Sequence, residues 1–157
     1  MVIVNYVLNI MLSLIMPVVL MAVGLYFKTH YMVRIGECGI VVPAAQQEQY
    51  KWLYAQIIGP KIAIKYGGTA TVVICFVNIL LLVFGHPMSD NLSIGAIIGG
   101  AFLAAFLISV ENQVDAFKPD WIGTENEKSK EMWVEKVLQL IDQKDYARLD
   151  SIAKDCH

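Results

Sequence analysis

The sequence contains few side chains whose type and spacing suit catalysis, and the first to consider is Cys38 in the stretch GECG at 36–39. A reactive thiol needs a basic partner that favours the thiolate, and neither a histidine nor a second cysteine supports Cys38. The three histidines, His30, His86 and His157, are scattered along the chain. We therefore expect a flexible turn at 36–39 rather than a catalytic cysteine.

The motifs of other enzyme and metal sites are also missing from the sequence. It contains no G-x-S-x-G, no G-x-x-x-x-G-K-[ST] and no H-E-x-x-H. The three cysteines give no disulfide framework, and no Cys or His pair has zinc-finger spacing. A net charge of −2 disfavours nucleic acid as a partner. We expect no catalytic residue, no metal and no cofactor.

The composition instead indicates a membrane protein. The chain is 57% hydrophobic and 17% charged, whereas soluble domains carry about 25% charged residues. Three apolar runs, at about 3–27, 62–84 and 92–110, contain no charged residue other than Lys65. Each has the roughly 20 residues that a helix needs to cross a bilayer. We predict an all-α fold, with a three-helix transmembrane bundle over 1–118 and a small helical cytoplasmic tail at 119–157.

The basic residues predict how the spans are oriented. All 12 lie in two groups. The first group lies around the loop between the first two spans, and the second follows the third span: Lys28, Arg34, Lys51, Lys61 and Lys65; then Lys118, Lys128, Lys130, Lys136, Lys144, Arg148 and Lys154. The amino terminus and the turn GHPMSDN carry none. The positive-inside rule therefore places the amino terminus outside and the carboxyl terminus in the cytoplasm.

Small and amide side chains in the spans are candidates for helix packing. Asn9 in the first span and Asn78 in the second lie at a similar depth, roughly 9 Å below the outer surface at 1.5 Å per residue. Gly95 and Gly99 in the third span have the small-xxx-small spacing that lets membrane helices approach closely. We hypothesise that Asn9 and Asn78 form a hydrogen bond across a tight three-helix contact. The alternative is two amides that reach the surface independently.

The polar stretch QQEQYKWLYAQ at 46–56 interrupts the apolar runs. Tyr50, Leu53, Tyr54 and Ile57 recur at helical spacing and would form one apolar face, with glutamines and charges on the other. Gly59-Pro60 is expected to end this helix. We predict an interfacial helix at 44–58, resting on the inner leaflet with Trp52 at the headgroup level.

The tail shows the pattern of two short amphipathic helices. Thr124 and Glu127 fit a capping box at the start of the first helix. Asp145 is the expected N-cap of the second helix, after a turn at DQKD. The apolar faces of these helices must be covered by each other, by the membrane or by a partner.

The order and spacing of three stretches can be compared with the motifs of known membrane-protein families. The stretches are LSLIMPVVLMAVGLYFK, GIVVPAAQQEQYKWLYAQIIGPK and YGG. Gly39 precedes Trp52 by thirteen residues, and Ala55 follows three residues later. Glu111 and Phe117 close the third span. Over roughly residues 10–118 the chain resembles the SdpI/YhfL family of small bacterial membrane proteins, in which these positions form motifs. The family's Arg-Thr pair is replaced here by Val41-Val42.

The resemblance implies an integral-membrane immunity or toxin-sensing protein of the bacterial cell membrane, which protects a toxin producer by binding rather than by catalysis. Its expected partners are the lipid bilayer, an antibacterial peptide or protein, and a cytoplasmic regulator that meets the interfacial helix or the tail. The alternative is a small accessory subunit of a larger membrane transport or secretion complex. That alternative would use the small-residue seam of the third span and the amphipathic tail. A membrane enzyme is a third hypothesis.

Overall fold

The computed structural model of the chain describes residues 2–35, 38–84, 88–117 and 127–154. These residues form five α-helices and one short 3-10 helix, with no strand among them. In chain order the elements are α1 (Val2–Phe27), the 3-10 helix (Pro43–Gln46), α2 (Gln49–Val83), α3 (Met88–Ala116), α4 (Glu127–Asp142) and α5 (Tyr146–Lys154). The predicted all-α fold is confirmed.

Three of these helices have the length and composition to cross a membrane. The candidate spans are Val7–Phe27 in α1, Gln49–Val83 in α2 and Ser93–Ala116 in α3. Each helix also exposes large apolar side chains that water would not favour, among them Met11, Phe76 and Ile97, all more than half exposed. The chain is therefore a multi-pass membrane protein.

The second helix differs from the sequence prediction at Gly59-Pro60. The predicted helix end there is wrong, since α2 continues through Pro60 to Val83. A membrane protein tolerates an internal proline where neighbouring groups cover the freed carbonyl. Residues 52–60 are buried without interruption, so this part of α2 has no solvated face and does not lie on a surface as an amphipathic helix would. The first residues of the predicted 44–58 helix form the separate turn Pro43–Gln46.

The chain divides into two compact units, each built from two separate stretches of sequence. The first unit comprises Met1–Leu25 and Ile62–Leu107, and the second comprises Tyr26–Lys61 and Ile108–His157. Both α2 and α3 contribute residues to each unit. The first unit therefore holds most of the apolar spans, and the second holds the loop after α1, the start of α2, the end of α3 and the two tail helices.

In the first unit, glycines bring the helix backbones close together. A Cβ on Gly95 would collide with the Cβ of Ser13, and one on Gly99 would lie 3.4 Å from the Cβ of Met16. A Cβ on Gly67 would lie 2.8 Å from both the carbonyl oxygen of Pro17 and the amide nitrogen of Met21. The surface of α1 thus packs against small residues of both α2 and α3, as membrane helices do when they associate by close approach.

The tail helices in the second unit are joined by a tight turn. The Asp145 amide donates to the Leu140 carbonyl at 3.0 Å and the Lys144 amide to the Ile141 carbonyl at 3.1 Å. With Lys144 at φ 55°, these bonds form a Schellman motif that ends α4. Asp145 then caps α5, since its Oδ1 accepts from the Arg148 amide at 3.3 Å. The predicted N-cap is confirmed, whereas Thr124 of the predicted capping box lies outside the described residues.

Lys144→Gly should stabilise the tail, because a side chain at a left-handed residue costs free energy that glycine avoids. We expect a gain of about 0.5–1 kcal/mol, measured by amide hydrogen exchange over residues 127–154 of the full chain. Lys136→Gly is the matched control, since this change in the interior of α4 should destabilise the helix by about 1 kcal/mol. If hydrogen-exchange protection changed equally and in the same direction in both variants, the left-handed conformation of Lys144 would be contradicted.

Candidate functional site

In the second unit, the side-chain amide of Gln56 forms hydrogen bonds with the backbone of the loop between α1 and α2. Gln56 of α2 is 1% exposed. Its Oε1 accepts from the Ile40 amide at 3.2 Å, and its Nε2 donates to the Ile40 carbonyl at 3.1 Å. The glutamine thus satisfies both backbone groups of one residue, as a neighbouring strand would. This pair, called the Gln56 clamp below, fixes the loop against α2.

Gly39 has a direct role in this arrangement. A Cβ at Gly39 would lie 2.6 Å from Gln56 Oε1, which is closer than real Cβ contacts. Gly39, one of the positions on which the sequence resemblance rests, therefore leaves the space that the Gln56 clamp occupies. Gly39 and Gln56 are thus close neighbours in the structure, although the sequence resemblance included only Gly39.

Trp52 fastens a second part of the loop. Its indole Nε1 donates to the Met32 carbonyl at 2.8 Å, and the side chain is fully buried. One turn earlier, Gln49 Nε2 donates to the Val33 carbonyl. Ala55 is also fully buried. The structure thus places Trp52 in the interior of the second unit, where its polar atom has a protein partner, rather than on a surface facing lipid headgroups.

Glu111 connects the end of α3 to the turn before α2. Its Oε1 accepts from the Ala44 amide at 3.0 Å across 67 residues of sequence. The second oxygen, Oε2, is buried and has no hydrogen-bond partner among the described residues. The carboxylate therefore acts as a cap for the 3-10 helix, whose first amides have no partner within the helix.

Phe117 lies at the centre of an aromatic cluster formed by Tyr50, Tyr54, Phe117 and Trp133. Its ring stacks on Tyr54 with centroids 3.8 Å apart and an interplanar angle of 10°. The Tyr50 ring lies 6.0 Å away and the Trp133 ring 5.7 Å away. Because Trp133 belongs to α4, this cluster ties the tail to α2 and to the end of α3. Trp133 Nε1 is buried with no hydrogen-bond partner in the described part of the chain.

An ion pair lies beside the aromatic cluster. Lys130 Nζ is 3.1 Å from Glu48 Oε2 and 5.4 Å from the centre of the Tyr50 ring. A cavity of about 340 Å³ opens here, lined by Glu48, Gln49, Tyr50, Lys130, Glu131 and Val134. Lys130 pairs with Glu48 there and Glu131 also lines the cavity, so the cavity carries charges of both signs.

The predicted residues separate between the two units. The positions on which the sequence resemblance rests all belong to the second unit: Gly39, Trp52, Ala55, Glu111 and Phe117. The packing candidates Asn9, Asn78, Gly95 and Gly99 all belong to the first. Asn78 is 3% exposed, and its Nδ2 donates to the Ile74 carbonyl of its own helix at 2.8 Å. The hydrogen bond between Asn9 and Asn78 stays a prediction.

Sequence reasoning missed Gln56, which it assigned to the solvated face. A signal was present, because Gln56 is the one polar residue within the apolar run WLYAQII at 52–58. An amide surrounded by large apolar residues needs a buried partner, since its polar atoms cannot reach water. Gln46 and Gln47 of the same stretch are exposed as predicted, and Glu48, Gln49 and Lys51 are half-buried.

Glu111→Ala should destabilise the protein, because it leaves the Ala44 amide buried without an acceptor. We expect a loss of about 1.5–3 kcal/mol, measured by thermal unfolding in detergent. Glu111→Gln keeps a side-chain oxygen at the same place, and its loss of unfolding free energy should be clearly smaller than that of Glu111→Ala. If both variants unfolded at the same temperature, the hydrogen bond to Ala44 would not be what makes Glu111 important.

The described residues contain no group of three or more His, Cys, Asp or Glu side chains that could hold a metal ion. No protein-family model, curated protein or solved structure matches the chain. The geometry of the second unit and the motif order in the sequence are therefore the basis for a functional proposal.

Proposed function

We propose that the chain is an integral-membrane immunity or toxin-sensing protein of the SdpI/YhfL type, which protects its producer by binding an antibacterial toxin. The observation that supports this most is the gathering of the five family-motif positions in one compact unit. They come from three stretches of sequence, and four of them hold specific contacts there. Gly39 makes room for Gln56, Trp52 and Glu111 bind loop backbone, and Phe117 centres the aromatic cluster.

Binding rather than catalysis fits the chemistry of this unit. Its buried polar groups, Gln56, Trp52 and Glu111, accept from or donate to backbone groups and so position segments of chain. None is arranged as a nucleophile with its base. In this proposal the toxin contacts the surfaces of the spanning helices or the turn GHPMSDN, which the positive-inside rule predicts to lie outside. A cytoplasmic regulator contacts the second unit, through the start of α2 or the tail.

The two positions at which the chain departs from the family motif differ in burial. Val41 is 46% exposed, whereas Val42 is 2% exposed. An arginine at position 41, as in the family motif, would thus be exposed on the loop, and a threonine at position 42 would be buried. We infer that partner recognition by this chain uses no charge at position 41.

The test is to express the chain in a toxin-sensitive strain and to challenge it with the secreted toxin encoded beside it. Survival should rise with the chain and fall when Phe117→Ala disrupts the aromatic cluster. Met132→Ala is the matched control, because Met132 lies on α4 with its side chain 56% exposed. Killing that is unchanged by the wild-type chain would end the immunity proposal.

The accessory-subunit alternative is supported by small residues of the third span that do not pack against α1. Gly95 and Gly99 already pack against α1, but a Cβ on Gly100 would meet no atom within 4 Å. Ala104, one turn later, is exposed. A helix of another membrane subunit could pack along Gly100 and Ala104. Cross-linking in membranes from Ala104→Cys would capture such a subunit under this alternative and none under the first proposal.

Thiol labelling tests the proposed orientation. Cys38 is exposed, so a chain with Cys75→Ser and Cys156→Ser leaves one accessible thiol in the first loop. We expect a membrane-impermeant maleimide to label it only after the cells are permeabilised, because the positive-inside rule places this loop in the cytoplasm. His86→Cys in a chain without other cysteines should be labelled in intact cells. The reverse pattern would invert the orientation.

A further inference from the structure

The two tail helices border a partly open cavity that the proposed function does not use. It has a volume of about 410 Å³ and is lined by Lys136 and Leu140 of α4 and by Arg148, Ser151 and Ile152 of α5. Small-molecule sites in proteins occupy roughly 300–1,000 Å³. The Schellman turn at Lys144 and the cap at Asp145 hold the two helices that form it.

The charge in this cavity is of one sign. Lys136 and Arg148 both line it, and no carboxylate is among its described lining residues. The residues three and four positions from Lys136 along α4, namely Met132, Trp133, Gln139 and Leu140, include no acid. An ion pair within the helix therefore does not neutralise Lys136.

Arg148 is only loosely paired. Its Nε lies 3.8 Å from Asp145 Oδ2, and its side chain is 75% exposed. Asp145 is also committed to the helix cap through its other oxygen. Exposed pairs of this kind contribute little free energy, so the guanidinium is available to an anion. The cavity beside Glu48 differs, because Glu48 and Glu131 line it together with Lys130.

We propose that this cavity binds a phosphate group carried on an apolar or glycerol portion. Lys136 and Arg148 are the donors to the phosphate oxygens, since charged hydrogen bonds of this kind are the strong ones. The Ser151 hydroxyl already donates to the Arg148 carbonyl at 2.9 Å. Leu140 and Ile152 supply the apolar part of the lining. An anionic phospholipid headgroup and a soluble phosphate monoester share this chemistry. The site does not depend on the immunity role.

The test uses the full chain in nanodiscs of phosphatidylcholine, titrated by calorimetry with dihexanoyl phosphatidic acid, dihexanoyl phosphatidylcholine and glycerol 3-phosphate. We expect saturable binding of the phosphate monoesters and none of the zwitterionic lipid. Lys136→Gln and Arg148→Gln should each weaken binding about tenfold. Lys128→Gln is the matched control, because Lys128 is exposed on α4 outside the cavity lining. Unchanged helical circular dichroism would show that the variants fold.

The titrations also distinguish the two sources of phosphate. Tighter binding of phosphatidic acid than of glycerol 3-phosphate would assign the site to a lipid headgroup. Equal binding would assign it to a soluble phosphate ester. Absence of saturable binding, equal binding of phosphatidylcholine, or wild-type affinity in both cavity variants would overturn the proposal.

Discussion

Gln56→Leu should destabilise the protein by about 2–6 kcal/mol, because each of the two Ile40 backbone groups left unpaired costs about 1–3 kcal/mol. Ile40 is 6% exposed and Gln56 1% exposed, so water cannot replace the lost amide. Leucine is close to glutamine in size, and therefore the loss should come from hydrogen bonding rather than from a cavity. Thermal unfolding in detergent, followed by tryptophan fluorescence, measures the effect.

The control for Gln56→Leu is Gln46→Leu, the same change at an exposed glutamine of the 3-10 helix. Surface changes of this kind usually alter stability by no more than about 0.5 kcal/mol. If both variants unfolded at the wild-type temperature, the Gln56 clamp would contribute nothing to stability. The immunity proposal would then lose the contact that explains Gly39.

The spans in α1 and α3 could be predicted from sequence because bilayer thickness sets the length of an apolar span. The apolar runs at 3–27 and 92–110 lie within α1 and α3, and no tertiary contact was needed to find them. The Asp145 cap was equally predictable, since it depends on a hydrogen bond between residues three apart. Features that depend on the bilayer or on residues close in sequence can therefore be predicted from a single sequence.

Features that depend on distant partners were not readable. Gly59-Pro60 has the composition of a helix end, but α2 continues through it among buried residues. Gln56 looked solvated because its partner lies 16 residues away in an irregular loop. Trp52 looked interfacial for the same reason, since Met32 lies 20 residues earlier. Periodicity reports which face a residue occupies, but not what covers that face.

Gly67 shows the same limit in the first unit. Depth and small-residue spacing directed attention to Gly95 and Gly99, and nothing in the spacing of Tyr66-Gly67-Gly68 shows which glycine meets another helix. The structure separates them. Gly67 lies against backbone atoms of Pro17 and Met21, whereas a Cβ on Gly68 would have no atom within 4 Å. Two adjacent glycines thus provide a matched pair for testing helix packing.

Gly67→Ala should destabilise the first unit by about 1–3 kcal/mol, the usual cost of overpacking a close contact. The added methyl would lie 2.8 Å from a carbonyl oxygen and an amide nitrogen of α1, and backbone atoms cannot move aside without shifting the helix. Gly68→Ala should be neutral or stabilising by up to about 1 kcal/mol, because alanine favours helix more than glycine does. Thermal unfolding of both variants in the same detergent measures the difference. Equal shifts would mean that α1 does not pack against Gly67, and that the small residues of α2 matter only through their helix propensity.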